Sequence, residues 1–274
     1  MPLTLASLMR AMELNGVQVD NNKAAFEWGR RCAHDLASVQ ALFKAAQVIE
    51  FVKKPSLAEM LSKRVDFLTG YQNAAYASDY EAFVEKVKAA EAKLGSSTRL
   101  SEAVARYLFK LMAYKDEYEV ARLHTDKAFT DKIASLFEGD YKLVHHLAPP
   151  MTAKKNDKGE LVKQPFGPWM RSAFGVLAKM KGLRGTALDV FGKTEERRME
   201  RALIVEYRAC IDELLARLNA DNLALAVEIA RIPEEIRGYG HVKERHLKAA
   251  RPKWDGLMAQ WRSGKVAPPQ RQAA

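Results

Sequence analysis

The chain has 274 residues, 48% of them hydrophobic and 28% charged, enough apolar mass for a sizeable core in one or two domains. Charge interrupts every apolar run well short of a membrane span, and the opening MPLTLASLMRAMELNG has neither the basic start nor the cleavage site of an export signal, so the expected place is the cytoplasm with no membrane partner. Two cysteines without CxxC spacing, Cys32 and Cys210, exclude disulfide scaffolds, Cys-rich zinc sites and iron–sulfur clusters held by this chain, while 44 Lys and Arg against 34 Asp and Glu permit an anionic partner without naming one.

Apolar residues spaced by three and four dominate, so the predicted fold is mainly α, a multi-helix bundle-like domain with one short β-hairpin. Thr4 to Leu14 and Asp20 to Ala33 read as two helices, separated by the Asn15-Gly16 stop and an Asp20 cap. A third runs from about Leu36 to the Lys53-Lys54-Pro55 break. Ser56, with Glu59 as capping-box partner, opens the helix SLAEMLSKRVDFL. After Gly70 comes one amphipathic helix ending at Gly95-Ser96-Ser97, and then Thr98 opens a single long helix, RLSEAVARYLFKLMAYKDEYEVARL. Its middle is apolar on nearly every face, which predicts a central position.

From Gly139 the pattern changes to two short arms, YKLVHHLAPPM and LVKQPFGP, around the polar tip KKNDKGE, which is the β signal. Pro149-Pro150 and Pro165 to Pro168 end the arms. Trp169 to Lys181 is predicted helical and Gly182 to Gly192 a structured loop. Thr194 then caps EERRMERALIVEYRACIDELLARL, on which Cys210 shares a buried stripe with Leu203, Tyr207 and Leu214. A short helix before Pro233, the loop IRGYGH, a last helix to about Trp261 and a disordered Pro/Gln/Ala tail finish the chain.

No GxGxxG, GxxxxGK, HExxH or GxSxG spacing occurs, which argues against a self-contained enzyme of the commoner kinds. His145 and His146 are adjacent on a strand and face opposite ways, which is awkward for shared metal ligation. Lys115, Glu119 and Arg122 share one helical stripe, read either as an internal salt-bridge network or as an anion pocket. Arg184, Arg197, Arg201, Arg237 and Lys243 lie in or beside two glycine-bracketed segments, KGLRGTALDVFGKTEERRMER and PEEIRGYGHVKERH. They form a candidate cofactor-binding site for a phosphate-bearing ligand such as coenzyme A. The opposing reading is that Arg184 and Arg237 only tie loops to helix C-termini through carbonyls. Nucleic acid is not expected, because basic residues are scattered and no stacking aromatics accompany them.

Five blocks, KLMAYKDEYEVARL, FEGDYKLVHHLAPPM, FGPWM, LRGTALDVFGKTEERRMER and PEEIRGYGHVKE, resemble the C-terminal region of fused indolepyruvate ferredoxin oxidoreductases, a helical domain of unassigned function. MELNGVQVDNNKAAFEWGRR is similar to the end of the preceding γ-type domain, so the resemblance runs from about Leu3 to Glu244. Val190 and Lys193 depart from the family's pattern. The resemblance implies three segments: 1–35 as terminal helices of a truncated γ-type domain, 36–262 as the C-terminal helical domain, and 263–274 as a tail. It also implies that the complete enzyme oxidatively decarboxylates an aryl pyruvate to the acyl-CoA with ferredoxin as acceptor. Thiamine diphosphate, magnesium and iron–sulfur clusters belong to its upstream part. No catalytic residue carries over to this chain, which is expected to be a non-catalytic piece. Its partners are expected to be the remaining domains or subunits, with a homodimer as the further assembly, and its first helices, parted from their sheet, are expected to leave an apolar patch.

Overall fold

A computed structural model describes residues 3–42, 55–147 and 162–264. The stop at Lys53-Lys54, the Pro149-Pro150 end of the first arm, the polar tip between the strands and the tail beyond Gly264 lie outside the described residues. The chain divides into two units, Met1–Lys54 and Pro55–Ala274.

In the first unit, α1 (Leu5–Asn15) starts at Thr4, whose hydroxyl accepts from Ser7 N–H, and stops at Gly16 in the left-handed region at φ 67°. Helix α2 (Val19–His34) begins one residue before the expected Asp20 cap; Asp20 lies in its first turn, where a carboxylate favours the positive end of the helix dipole. Helix α3 (Leu36–Leu42) packs on α2 within this first unit.

In the second unit the Ser56–Glu59 capping box opens α4 (Leu57–Tyr71) as expected. Gly70 lies inside α4, and the next break falls at Asn73, whose side chain caps α5 (Ala74–Ala92) by accepting from Tyr76 N–H. Helix α6 (Arg99–Met112) buries nine residues, among them Leu100, Val104, Leu108 and Met112, and packs against α4, α5, α10 (Glu195–Leu215) and α11 (Leu223–Ala230). It is the central helix the sequence predicts. It is not opened by the Thr98 side chain, which makes no cap hydrogen bond. The buried Glu91 carboxylate does that work, accepting from Leu100 N–H at 2.9 Å and Ser101 N–H at 2.8 Å.

The long helix expected through Leu123 breaks at Ala113–Asp116. Asp116 caps a separate α7 (Glu117–Thr125) by accepting from Glu119 N–H at 2.8 Å. Two tyrosines satisfy carbonyls freed by the break: the half-buried Tyr76 donates to Met112 O at 3.1 Å and the buried Tyr71 to Tyr114 O at 2.9 Å. Helix α8 (Lys127–Ala134), capped by Asp126, was not expected.

Two short antiparallel strands, β1 (His145–Leu147) and β2 (Gln164–Phe166), pair with His145 opposite Phe166. His145 is buried and His146 exposed, as alternation requires. Beside them α7 packs on α9 (Met170–Lys179), and Ala121, Met170 and Phe174 make a small second core. A 3-10 turn, Met180–Leu183, leads into the loop before α10. Thr194 caps α10, and Leu203, Tyr207, Cys210 and Leu214 form its buried stripe, with Trp254 Nε1 donating to Cys210 Sγ at 3.4 Å. Cys32, on α2, is half-buried. A 3-10 turn, Ile232–Glu234, separates α11 from α12 (His241–Ser263).

Candidate functional site

The loop 184–192 exists because one carboxylate gathers its backbone. Asp189, 3% exposed, accepts from Gly185 N–H at 2.7 Å, Gly192 N–H at 2.9 Å and the Tyr118 hydroxyl at 3.2 Å. A Cβ at position 192 would stand 2.1 Å from Asp189 Oδ2, so only glycine fits there. Arg201 on α10 closes the loop from below, Nη2 donating to Gly192 O at 2.5 Å.

Arg184 ties this loop to two helix ends. Its Nη1 donates to Tyr71 O at 2.6 Å, the last residue of α4, and its Nε and Nη2 reach both oxygens of Asp116, the cap of α7. The guanidinium carbon lies 3.7 Å from the Tyr71 ring centroid. Burial opposes the charge most strongly of any single influence, yet the hydrogen bonds to Asp116 together with the charges of Tyr71, Asp116 and Tyr114 outweigh it and hold Arg184 above its ordinary value. Lys181 adds a bond to Gly70 O at 2.5 Å on the same helix end. The reading in which Arg184 serves a helix C-terminus thus describes its geometry.

The start of α10 is joined to the start of α12 in the same manner. Glu200, 2% exposed, accepts from Arg197 Nη1 at 2.7 Å and Lys243 Nζ at 2.8 Å, while Glu196 accepts from Gly240 N–H at 2.9 Å. Arg197 also faces Glu117 at 3.5 Å. Burial pushes the Glu117 carboxyl up despite Arg197, and its Oε2 is buried without a partner.

Of the five predicted site residues, Arg184, Arg197 and Lys243 are therefore buried, with their charges compensated by carboxylates of this chain. Arg201 is half-buried with Nη1 unpartnered, and Arg237 is exposed, its Nε donating to Glu234 O at 3.0 Å at the end of a 3-10 turn. Arg197 and Lys243 share Glu200, and Arg237 and Lys243 share a cavity; Arg184 stands apart at Asp116. The expected Lys115–Glu119–Arg122 stripe is broken by the 113–116 turn. Glu119 and Arg122 form a two-pronged pair at 2.8 Å, and Lys115 points instead to Tyr239, 5.5 Å from its ring centroid.

The cavity measures about 240 Å³, and its lining includes Lys110, Lys115, Glu200, Arg237, Tyr239 and Lys243. Lys110 was not singled out by sequence, since it sits mid-pattern on α6, and only the fold brings it beneath Pro233, whose carbonyl accepts from it at 2.6 Å. Burial first, and then the charges of Arg237 and Lys243, pull Lys110 below its ordinary value. Among the described residues no group of His, Cys, Asp and Glu could hold a metal ion, and no helix is long and apolar enough to cross a membrane.

The segments that meet here, the α6–α7 turn, the 184–192 loop with the start of α10, and the 234–243 loop, all lie within residues 57–256. That stretch matches a family described as one of unknown function, DUF6537. The chain belongs to this family. Within that stretch the buried pair Arg184–Asp116 joins the 184–192 loop to the start of α7, and Lys243–Glu200 joins α12 to α10. No curated protein and no solved structure matches the chain.

Proposed function

We propose that this chain is the C-terminal, non-catalytic helical part of an indolepyruvate ferredoxin oxidoreductase-like enzyme of the cytoplasm. In this reading it docks on the thiamine diphosphate-, magnesium- and cluster-bearing remainder and serves turnover by holding that remainder in shape. One observation carries the reading. Helices α1 and α2 bury no residue at all, while Leu5, Leu14 and Trp28 on them, and Val17 between them, stay 42%, 73%, 45% and 60% exposed. A helix pair with apolar side chains and no buried face lacks the packing that stabilises helices in water, and an α/β domain upstream supplies it. Three of the resembling blocks, KLMAYKDEYEVARL, LRGTALDVFGKTEERRMER and PEEIRGYGHVKE, contribute the buried pairs Arg184–Asp116 and Lys243–Glu200, which supports a role in rigidity.

The test is co-expression of the full chain with the upstream region of an indolepyruvate ferredoxin oxidoreductase, followed by size-exclusion chromatography. Co-elution is expected, and Leu14→Glu with Trp28→Glu abolishes it while leaving the melting of residues 55–264 unchanged. A chain that elutes alone, binding neither that region nor a second copy of itself, removes the proposal.

A further inference from the structure

We infer that the cavity between α6, the 234–240 loop and α12 is a binding site for a phosphoryl group. Four cations, Lys110, Lys115, Arg237 and Lys243, stand in its lining against one carboxylate, Glu200. Glu200 is already committed to Arg197 and Lys243. Among the described residues Lys110 is hydrogen-bonded only to the Pro233 and Glu234 carbonyls. Lys115 has a ring contact and no carboxylate among the described residues, and Arg237 spends Nε on Glu234 O, leaving both terminal nitrogens of its fork without a protein partner there.

Crowded like charges oppose one another: Lys110 is lowered first by burial and then by Arg237 and Lys243, which together outweigh the opposing charge of Glu234. A dianion relieves more of it than a single carboxylate does, and the planar fork of Arg237 suits two phosphoryl oxygens. The volume, about 240 Å³, is below the roughly 300–1,000 Å³ of sites that enclose whole ligands. The cavity therefore takes a head group, and the rest of a larger ligand lies outside against Tyr239, whose ring is 60% exposed at the rim. Gly238 at φ 89° makes the turn that sets Arg237 and Tyr239 on the rim, and a Cβ there would meet Val242 Cγ1 at 2.6 Å.

The site concerns only this chain's second unit, so it stands or falls separately from the docking role. Equilibrium dialysis of the full chain against radiolabelled orthophosphate, pyrophosphate and ADP, with acetate as competitor, tests it. Binding of the phosphoryl probes is expected, with acetate at least about tenfold weaker. The double variant Lys115→Gln/Arg237→Gln, both exposed positions, loses at least about tenfold in affinity, or ~1.4 kcal/mol, with an unchanged melting curve. ADP tighter than phosphate identifies the head group of a phosphorylated organic ligand; equal affinities identify inorganic phosphate. Retention of no phosphoryl probe, full binding by the double variant, or acetate as tight as phosphate overturns the inference.

Discussion

Arg184 and Asp116, 68 residues apart in sequence, meet as a two-pronged pair, Nη2 at 2.8 Å from Oδ1 and Nε at 2.5 Å from Oδ2, and both are over nine-tenths buried. Asp116 simultaneously caps α7, so the pair fixes where one helix begins and how the 184–192 loop crosses the end of α4. Removing only the cation strands a buried carboxylate, which costs about 3–5 kcal/mol. Arg184→Met should accordingly lower the melting temperature by roughly 10 °C, given about 2–4 °C per kcal/mol at this size. Arg184→Met combined with Asp116→Asn keeps the cap, removes both charges and should recover most of that loss. Circular dichroism melts decide it: a single variant as stable as the parent shows the pair holds nothing.

Two glycines in the same loop separate crowding from backbone strain. At Gly192 a Cβ meets Asp189 Oδ2 and Cγ at 2.1 and 2.6 Å, and Asp189 cannot retreat without releasing three hydrogen bonds. At Gly185, φ is 77° and the space is open. Gly185→Ala should therefore cost about 1 kcal/mol, the left-handed penalty alone. Gly192→Ala adds overpacking and should cost about 3 kcal/mol or more. Urea denaturation of the two variants orders them, and equal costs would show that the Asp189 ring does not constrain the loop.

Glu91 carries the N-terminus of α6 from the end of the neighbouring helix. Its carboxylate accepts from two backbone N–H groups and, at 2.6 Å, from the Ser101 hydroxyl, while Glu91 itself is 1% exposed. Glu91→Ala leaves those donors buried and unmet, each unsatisfied group costing about 1–3 kcal/mol. A loss of roughly 3 kcal/mol is expected. Amide exchange localises it: Leu100 and Ser101 N–H should speed up far more than amides of α12, and a uniform change would point to general unfolding instead.

Much of the fold was legible because helix ends are written locally. Ser56–Glu59, Thr194, Gly16 and the Cys210 stripe all depend on residues within one or two turns of each other. The errors arose where a tertiary partner overrode the local pattern. Thr98 looks like the cap of α6, yet Glu91, seven residues earlier, takes the role from across a helix–helix turn. The α6–α7 break had a usable signal, Asp116 three residues before Glu119, which is a capping pattern embedded in a run that otherwise reads as continuous helix. The candidate site was half legible. Sequence identified the basic loops, but which cations face carboxylates and which face the cavity depends on Asp116, Glu200 and Lys110, contributed by segments up to 123 residues away.

His124 gives the second core a pH dependence. Its ring stacks on Phe174 at 5.2 Å and meets Phe129 and His145 edge-on at 5.7 and 5.0 Å, and its Nδ1 is buried without a partner. Burial, and then the neighbouring His145, hold its pKa below the ordinary 6.5. The folded state therefore binds this proton less readily than the unfolded chain does. Its contribution to stability is complete above the unfolded value and is lost as pH falls through the folded one. The urea midpoint of the chain should decline between about pH 7.5 and 5, and His124→Phe, which keeps the aromatic contacts and removes the titration, should flatten that decline. Parallel pH profiles for parent and variant would show that protonation of His124 is not coupled to folding.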